Sequence, residues 1–463
     1  MLTLRDAEGV QGRKGGSGRM GRTRRTLIVV ALLALPAFPA PPAFPALPAF
    51  PALPAPPALH AQVPFERAVA DLASRDPGTR LRAVQLLKDA AYLEAAVPLA
   101  PLVTDPRDEI QLEAIAAELN IFLAEPVVTK KRVGLVIEKR TPIAAEAAFS
   151  AGPEALGARR VPAEVLTALR AGARDNNPRV ALEALYAFGA LAAEPDGAAR
   201  VALLRASGPE IAAFVGSVDP AARYAAVRVM GRLFARRAHD ASIEPTVGDA
   251  VITALNDGDR AVKIAAMEAL GAMRYDRAVQ ALTDLFTYFG KGDAAAAALD
   301  ALARIANPAS APLFAAQLAG KSPPLRGTAI EGLARVGEPA KLADIQIALA
   351  SDRSEGVALA GAFASAKLAG GSIDRITDGL TKSKLRDQAR RYLVELAPGR
   401  AADFTKQLTD PDARIRLDVV EALGLGGDAA ALPLVEPLTT DRDAQVAKAA
   451  ERALARLRSA QGR

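Results

Sequence analysis

One helical face returns down this chain at intervals of about thirty residues, a period that builds stacked units rather than one shared core. In one copy the apolar set is Ile415, Val419, Ala422 and Leu423, at i, i+4, i+7 and i+8, one side of an α-helix. The same spacing selects Thr79, Ala83, Leu86 and Leu87; Val180, Ala184, Ala187 and Phe188; Ala222, Ala226, Val229 and Met230; and Val262, Ala266, Ala269 and Leu270. It continues through the sets that start at Ala294, Leu325, Leu385 and Val446. Each copy must hide its stripe against the next, so the expected fold is all-α, a solenoid of stacked antiparallel helix pairs with about eleven units. Stacked helices offer a long surface and no enclosed pocket, which suits binding more than chemistry.

Composition fits close stacking. Hydrophobic residues make up 51% of the 463, aromatics only 4% and Trp none, so the core is expected to be Ala, Leu and Val. Ala is also the strongest helix former. Cysteine is absent, which removes disulfides, thiolate metal sites, thiol nucleophiles and lipid attachment through a Cys. The formal charge of +6 is concentrated at the start: residues 1–61 carry seven Lys or Arg against two acids, leaving 51 bases and 50 acids for the rest. A nearly neutral body gives phosphate backbones no global attraction, and no nucleic-acid partner is expected.

From Met20 the chain reads Gly21, Arg22, Thr23, Arg24, Arg25 and then runs apolar from Leu27 to Leu35, the basic and hydrophobic regions of a secretory signal. A bilayer span needs about twenty apolar helical residues, and Pro36 closes this run well before that. Pro36 to Leu59 forms eight Pro-Ala-x triplets, a period of three that matches polyproline II. The tract reads as an extended tail of the signal, or as a spacer. Cleavage after Ala61 is expected, giving an exported protein of the periplasm or cell envelope with no transmembrane span in the mature chain.

Turns between helices are announced by Asp, often with Pro. Asp76-Pro77, Asp105-Pro106, Asp219-Pro220 and Asp410-Pro411 are each expected to set a capping oxygen before a Pro at the first helical position, where its missing N–H costs nothing. The place after the first anchor, i+1, holds Arg80, Arg223, Lys263, Arg326, Arg386 and Arg416, and other copies carry Gln111, Ala181, Ala295 and Ala447. Six residues before it stand Asp105, Asp175, Asp257, Asp410 and Asp441.

With these features the sequence resembles the HEAT-repeat family, in its short bacterial form. The motifs that carry the likeness are DPDARIRLDVVEALG at 410–424, DGDRAVKIAAMEALG at 257–271 and SPPLRGTAIEGLARVG at 322–337. The resemblance implies a right-handed α-solenoid in which the Asp and the Arg belong to a hydrogen-bonded ladder between successive units. Those roles carry onto Asp410 and Arg416, and onto Asp257 with Lys263.

Spacing is regular in the C-terminal half and breaks between Gln111 and Ala181, where 70 residues hold one unit plus an insert. The insert, 126–162, includes VVTKKRVGLVIEKRTP, a Val-rich stretch without helical period that reads as a short β-hairpin or a projecting loop. Interruptions of a solenoid tend to lie on one face where partners dock. Lys130, Lys131, Arg132, Lys139 and Arg140 are therefore the candidate partner-binding residues, against the plainer reading of solvated charges on a decoration that covers part of the stack. A second irregularity is the unit near 352–366, where Gly361 and Ser365 stand at anchor places.

Chemistry finds little purchase. His60 and His239 are the only histidines, and His60 precedes the expected cleavage point. No His pair or Cys set is present for a transition metal, and no Walker or dinucleotide fingerprint follows a strand. Asp108 with Glu109 and Asp441 with Asp443 read as repeat-turn residues. No catalytic residue, metal or cofactor is expected. The chain divides into a signal with its triplet tract (1–61, tract 36–59), N-terminal repeats (62–125), the insert (126–162) and the main array (163–460). It reads as a noncatalytic protein-binding scaffold of the envelope or periplasm that works through its concave face. Two other readings stay open: a nucleic-acid binder using a basic patch near the insert, and an enzyme built from carboxylates.

Overall fold

In a computed structural model, described for residues 64–123, 131–133, 137–139, 144–152, 156–157, 160–192, 197–235 and 243–461, the chain is an α-solenoid. The expected signal and triplet tract lie outside the described residues, as does His239. Residues Gln62–Arg463 form one compact unit. Among the described residues there are 23 helices, eleven pairs and one extra. The second helices of the pairs are Pro77–Ala90, Asp108–Phe122, Pro178–Leu191, Pro220–Leu233, Arg260–Met273, Gly292–Ile305, Pro323–Val336, Glu355–Ala369, Arg386–Leu396, Ala413–Gly426 and Ala444–Gln461. Several first helices are a single α-helical turn, flanked by 3-10 turns at Ala96–Leu99 and Leu432–Val435 and preceded by one at Thr405–Leu408.

Two turn residues start several of the second helices. The side chain four places before i+1 caps the helix: Asp76 accepts from the Thr79 N–H at 2.8 Å, Asp219 from Ala221 at 2.9 Å and Asp412 from Arg414 at 2.9 Å. The side chain six places before i+1 braces the turn instead. Asp105 accepts from the Arg107 N–H at 3.0 Å and Asp410 from Asp412 at 2.8 Å. This corrects two of the four expected caps, because the helices after Asp105 and Asp410 begin at Asp108 and Ala413, one half-turn beyond their Pro. At the other end, Gly427 closes Ala413–Gly426 with φ +71°, a left-handed position where glycine has no Cβ penalty.

Successive second helices pack against one another at every step, whereas first helices meet their neighbours less often. In such a stack the tighter row is the inner, concave side. Close approach rests on small residues: a Cβ added to Gly231 would lie 2.9 Å from Ala269 Cα, one added to Gly271 2.8 Å from Ala301 Cα, and one added to Gly424 2.9 Å from Ala453 Cα. Each glycine follows the last anchor of its helix and meets the i+7 anchor of the next unit. The unit near 352–366 keeps its helix, and Gly361 leaves no gap. Leu349 of the preceding helix Lys341–Ala350 fills the place, 2.3 Å from where a Cβ would sit.

Within the insert, Lys131–Val133 pairs antiparallel with Ile137–Lys139, so that Lys131 stands opposite Lys139 and Arg132 opposite Glu138. The insert then delivers the extra helix, Ala145–Ser150, which joins the second-helix row by packing on Asp108–Phe122 and Pro178–Leu191.

Candidate partner-binding face

The charged residues singled out by the repeat form a ladder across units. Arg80 makes two bonds to Asp105, at 2.8 and 3.0 Å, and donates to its own turn at the Ser74 carbonyl, 2.9 Å away. Arg223 repeats this with Asp257 and Ser217 and Arg416 with Asp441 and Asp410, while Arg326 makes one bond to Asp352, at 2.7 Å, and donates to the Gly320 carbonyl. Gln111 makes the neutral version, 2.8 Å from Asp175. Arg223, Arg326 and Arg416 hold the carboxyls of Asp257, Asp352 and Asp441 below their usual range. Asp410 therefore meets Arg416 through its backbone carbonyl, while its carboxylate stays in the turn. Lys263 is not the bonding partner of Asp257. It acts there only as a nearby positive charge, and Arg223 of the preceding unit makes the hydrogen bonds.

These residues hold units in register. A second set of charged residues stands in two other columns of the second-helix row, i+6 and i+10, four residues apart and on one face. In Gly292–Ile305 they are Asp300 and Arg304, paired at 2.7 Å. In Pro323–Val336 they are Glu331 and Arg335, paired at 3.1 Å, and Arg335 also reaches Glu395 two units on at 2.9 Å. Lys367 joins Glu395 at 3.0 Å. Burial opposes the charge on Glu395, yet Arg335 and Lys367 hold its carboxyl below the usual range. Beneath them Tyr392 is fully buried, stacked on Phe363 at 4.4 Å and donating to Glu331 at 2.5 Å, and burial drives its phenol far above the ordinary value.

The pattern reverses where the insert meets the row. In Pro220–Leu233 the same two places are Arg228 and Arg232, both cations. Arg228 lies over Phe149, Tyr186 and Tyr224 at 5.1, 5.7 and 5.1 Å, and bonds Glu146 and Ser150 of the insert helix, each at 2.9 Å. Arg232 stacks on Phe149 at 3.8 Å. Its side chain has no hydrogen bond or ion pair among the described residues, and burial, with Arg228 beside it, pushes its guanidinium down to about 10. Glu268, at i+6 of the next second helix, has its carboxyl raised by burial.

Of the candidates read from sequence, Lys130 and Arg140 lie outside the described residues. Lys131, Arg132 and Lys139 are placed on the two strands of the insert. Asp108 accepts from the Asn177 side chain at 2.6 Å, and Asp443 caps the last helix, so both serve the turns. No group of His, Cys, Asp and Glu suited to a metal ion occurs among the described residues. Sequence reading missed Arg228, Arg232 and Phe149, because attention to anchors leaves i+6 and i+10 aside. It also missed Glu118, which stands at an anchor.

Residues 208–288 match the sequence model of HEAT repeats. No curated protein matches the chain. Among solved structures, it is similar to an engineered protein (20% identity, covering 85% of this chain and 98% of that one, TM-score 0.41). It is also similar to a chain from a structure concerned with the phosphorylation-controlled interaction between cadherin and beta-catenin (12%, 86% and 91%, TM-score 0.39). A third similar chain comes from a structure of Kap95p binding to RanGDP (16%, 85% and 50%, TM-score 0.34).

Proposed function

We propose that this stack of HEAT repeats is an exported, noncatalytic protein-binding scaffold of the periplasm or cell envelope, and that the inner row of second helices is its contact surface. The carrying observation is the i+6 and i+10 face, where Arg228, Arg232, Asp300, Arg304, Arg335, Lys367 and Glu395 are partly buried charged groups presented side by side by successive second helices. Such a face recognises a partner by distributed charge and shape. Asp300, Glu331 and Glu395 along it are engaged by arginines, which leaves them poorly placed for proton transfer. The basic leader at Arg22–Arg25 with the apolar run to Leu35 supports export. No helix among the described residues is long and apolar enough to cross a membrane.

The test is in-cell crosslinking of a tagged chain in its native compartment, followed by identification of what is captured. A defined envelope protein captured by the wild type, and lost when charges at i+6 and i+10 are reversed, is the expected result. Fractionation that leaves the chain in the cytoplasm, or crosslinking that enriches no protein, would overturn the reading.

A further inference from the structure

In two other copies of the repeat an arginine at i+10 stands beside carboxylates. Arg304 has Asp300 four residues earlier, at 2.7 Å. Arg335 has Glu331 at 3.1 Å and Glu395 at 2.9 Å, and lies 5.4 Å over the Phe363 ring. In both, a guanidinium withdrawn from water, in part for Arg304 and almost wholly for Arg335, is neutralised by carboxylates. Arg232 keeps the aromatic seat, Phe149 at 3.8 Å, but the residue four places earlier is Arg228. The near acid, Glu146, is taken by Arg228 and is not shared with Arg232. A withdrawn cation with its ring in place and a like charge where its counter-ion stands elsewhere is unfavourable in the chain alone.

We propose that Arg232, with Arg228 beside it, is an anion-recognition point on the second-helix row, and that its ligand is a carboxylate on an acidic side chain of the protein partner. The identity of the bearer rests on the scaffold reading. The preference for a carboxylate rests on Arg304 and Arg335, whose partners in this same position are carboxylates. A polyphosphate chain fits less well, because Glu146 and Glu268 flank the arginines and the body carries almost no net charge. Arg232 offers a planar fork that matches a carboxylate with two bonds, and Phe149 holds that plane. Both elements come together only because the insert ends in the helix Ala145–Ser150. The insert thus contributes to recognition through Phe149.

Fluorescence anisotropy at low salt, using labelled oligoglutamate, oligoglutamine of equal length and a single-stranded oligonucleotide, tests this on the full chain. The wild type is expected to prefer oligoglutamate, and Arg232→Gln to weaken it by about tenfold or more with an unchanged circular dichroism spectrum. Arg232→Lys, which keeps the charge and loses the fork, should fall between. Equal oligoglutamate binding by wild type and Arg232→Gln would overturn the proposal, and so would tighter Arg232-dependent binding of the oligonucleotide. Arg232-dependent oligoglutamate binding supports the carboxylate assignment even where crosslinking enriches no protein, an outcome that counts against the scaffold reading alone. A captured partner retained in full by Arg232→Gln does the reverse.

Discussion

Arg416 and Asp441 join two successive units through a two-pronged ion pair, Nε and Nη2 standing 2.8 and 2.6 Å from the carboxylate oxygens. Both side chains are nearly withdrawn from water, at 4% and 10% exposure. Arg416 also donates to the Asp410 carbonyl at 2.7 Å, so one guanidinium ties the turn of its own unit to the turn of the next. Replacing Arg416 by Met leaves Asp441 facing a lost donor and is expected to cost about 2–3 kcal/mol. The loss should appear as faster amide exchange in Ala444–Gln461, the unit beyond the pair. Because the pair depresses the Asp441 carboxyl, its stabilisation is complete above the unfolded pKa, near pH 4, and fades as pH falls through the lower folded value. Wild type and Arg416→Met should therefore differ at neutral pH and converge in acid. A difference that persists at the acid end would show that the ion pair is not its source.

Glu118 occupies the i+8 anchor of Asp108–Phe122, where other copies place Leu87, Phe188, Met230 or Leu270. It is fully buried, and neither carboxylate oxygen has a hydrogen-bond partner among the described residues. Burial alone pushes its carboxyl up to about 9. Folding then holds a proton that the unfolded chain releases above about pH 4.5, so this residue lowers stability progressively from there to about pH 9. At pH 7 the cost is about 3 kcal/mol. Glu118→Leu should raise the urea midpoint of the N-terminal units and flatten their stability between pH 5 and 9, and Glu118→Gln should flatten it with a smaller gain. A destabilised Glu118→Leu, or a slope unchanged in both variants, would refute the account.

The same residue shows what a single sequence can disclose. The second helices are legible because their anchors recur at i, i+4, i+7 and i+8, and burial of Val419, Ala422, Leu423 and most of their counterparts follows that spacing, with Leu86 an exception that stays exposed. The Asp and Arg columns were visible as columns, yet their pairing was not. Arg416 turns to Asp441 rather than to the Asp410 carboxylate, since a residue reaches forward to a unit whose distance the sequence does not state. Arg232 was less visible still. Its neighbour Phe149 arrives from an insert with no repeat register, and only the comparison with Arg304 and Arg335 makes its lack of a counter-ion legible.

Gly271 sits where two second helices come closest. A Cβ there would lie 2.8 Å from Ala301 Cα, a backbone atom that cannot turn aside, and 3.3 Å from Arg304 Cδ. Gly271→Ala should force the units apart and cost about 1–3 kcal/mol. In the turn, Gly258→Ala is the control, because its Cβ would meet open space. That change should be neutral or mildly stabilising. Thermal melts of the two variants side by side decide the matter, and equal melting temperatures would refute the close approach.

Removing the same residue type from two places in the i+10 column should move stability in opposite directions. Arg335 is engaged by Glu331 and Glu395, which raise its guanidinium pKa against the opposing effect of burial. Arg335→Gln would remove the cation shared by Glu331 and Glu395, leaving Glu331 only the Tyr392 hydroxyl and Glu395 only Lys367 among the described residues, and a loss of about 3 kcal/mol is expected. Arg232 has only Phe149 beneath it and a second arginine alongside. Arg232→Gln deletes a desolvated like charge, and its melting temperature should equal or exceed that of the wild type. The contrast depends on ionic strength in a defined way. Added salt screens Arg228 from Arg232 and should narrow the advantage of Arg232→Gln, while the buried cluster at Arg335 is screened much less. If both variants lose stability to the same degree, Arg232 is held by interactions within the fold and its difference from Arg335 disappears.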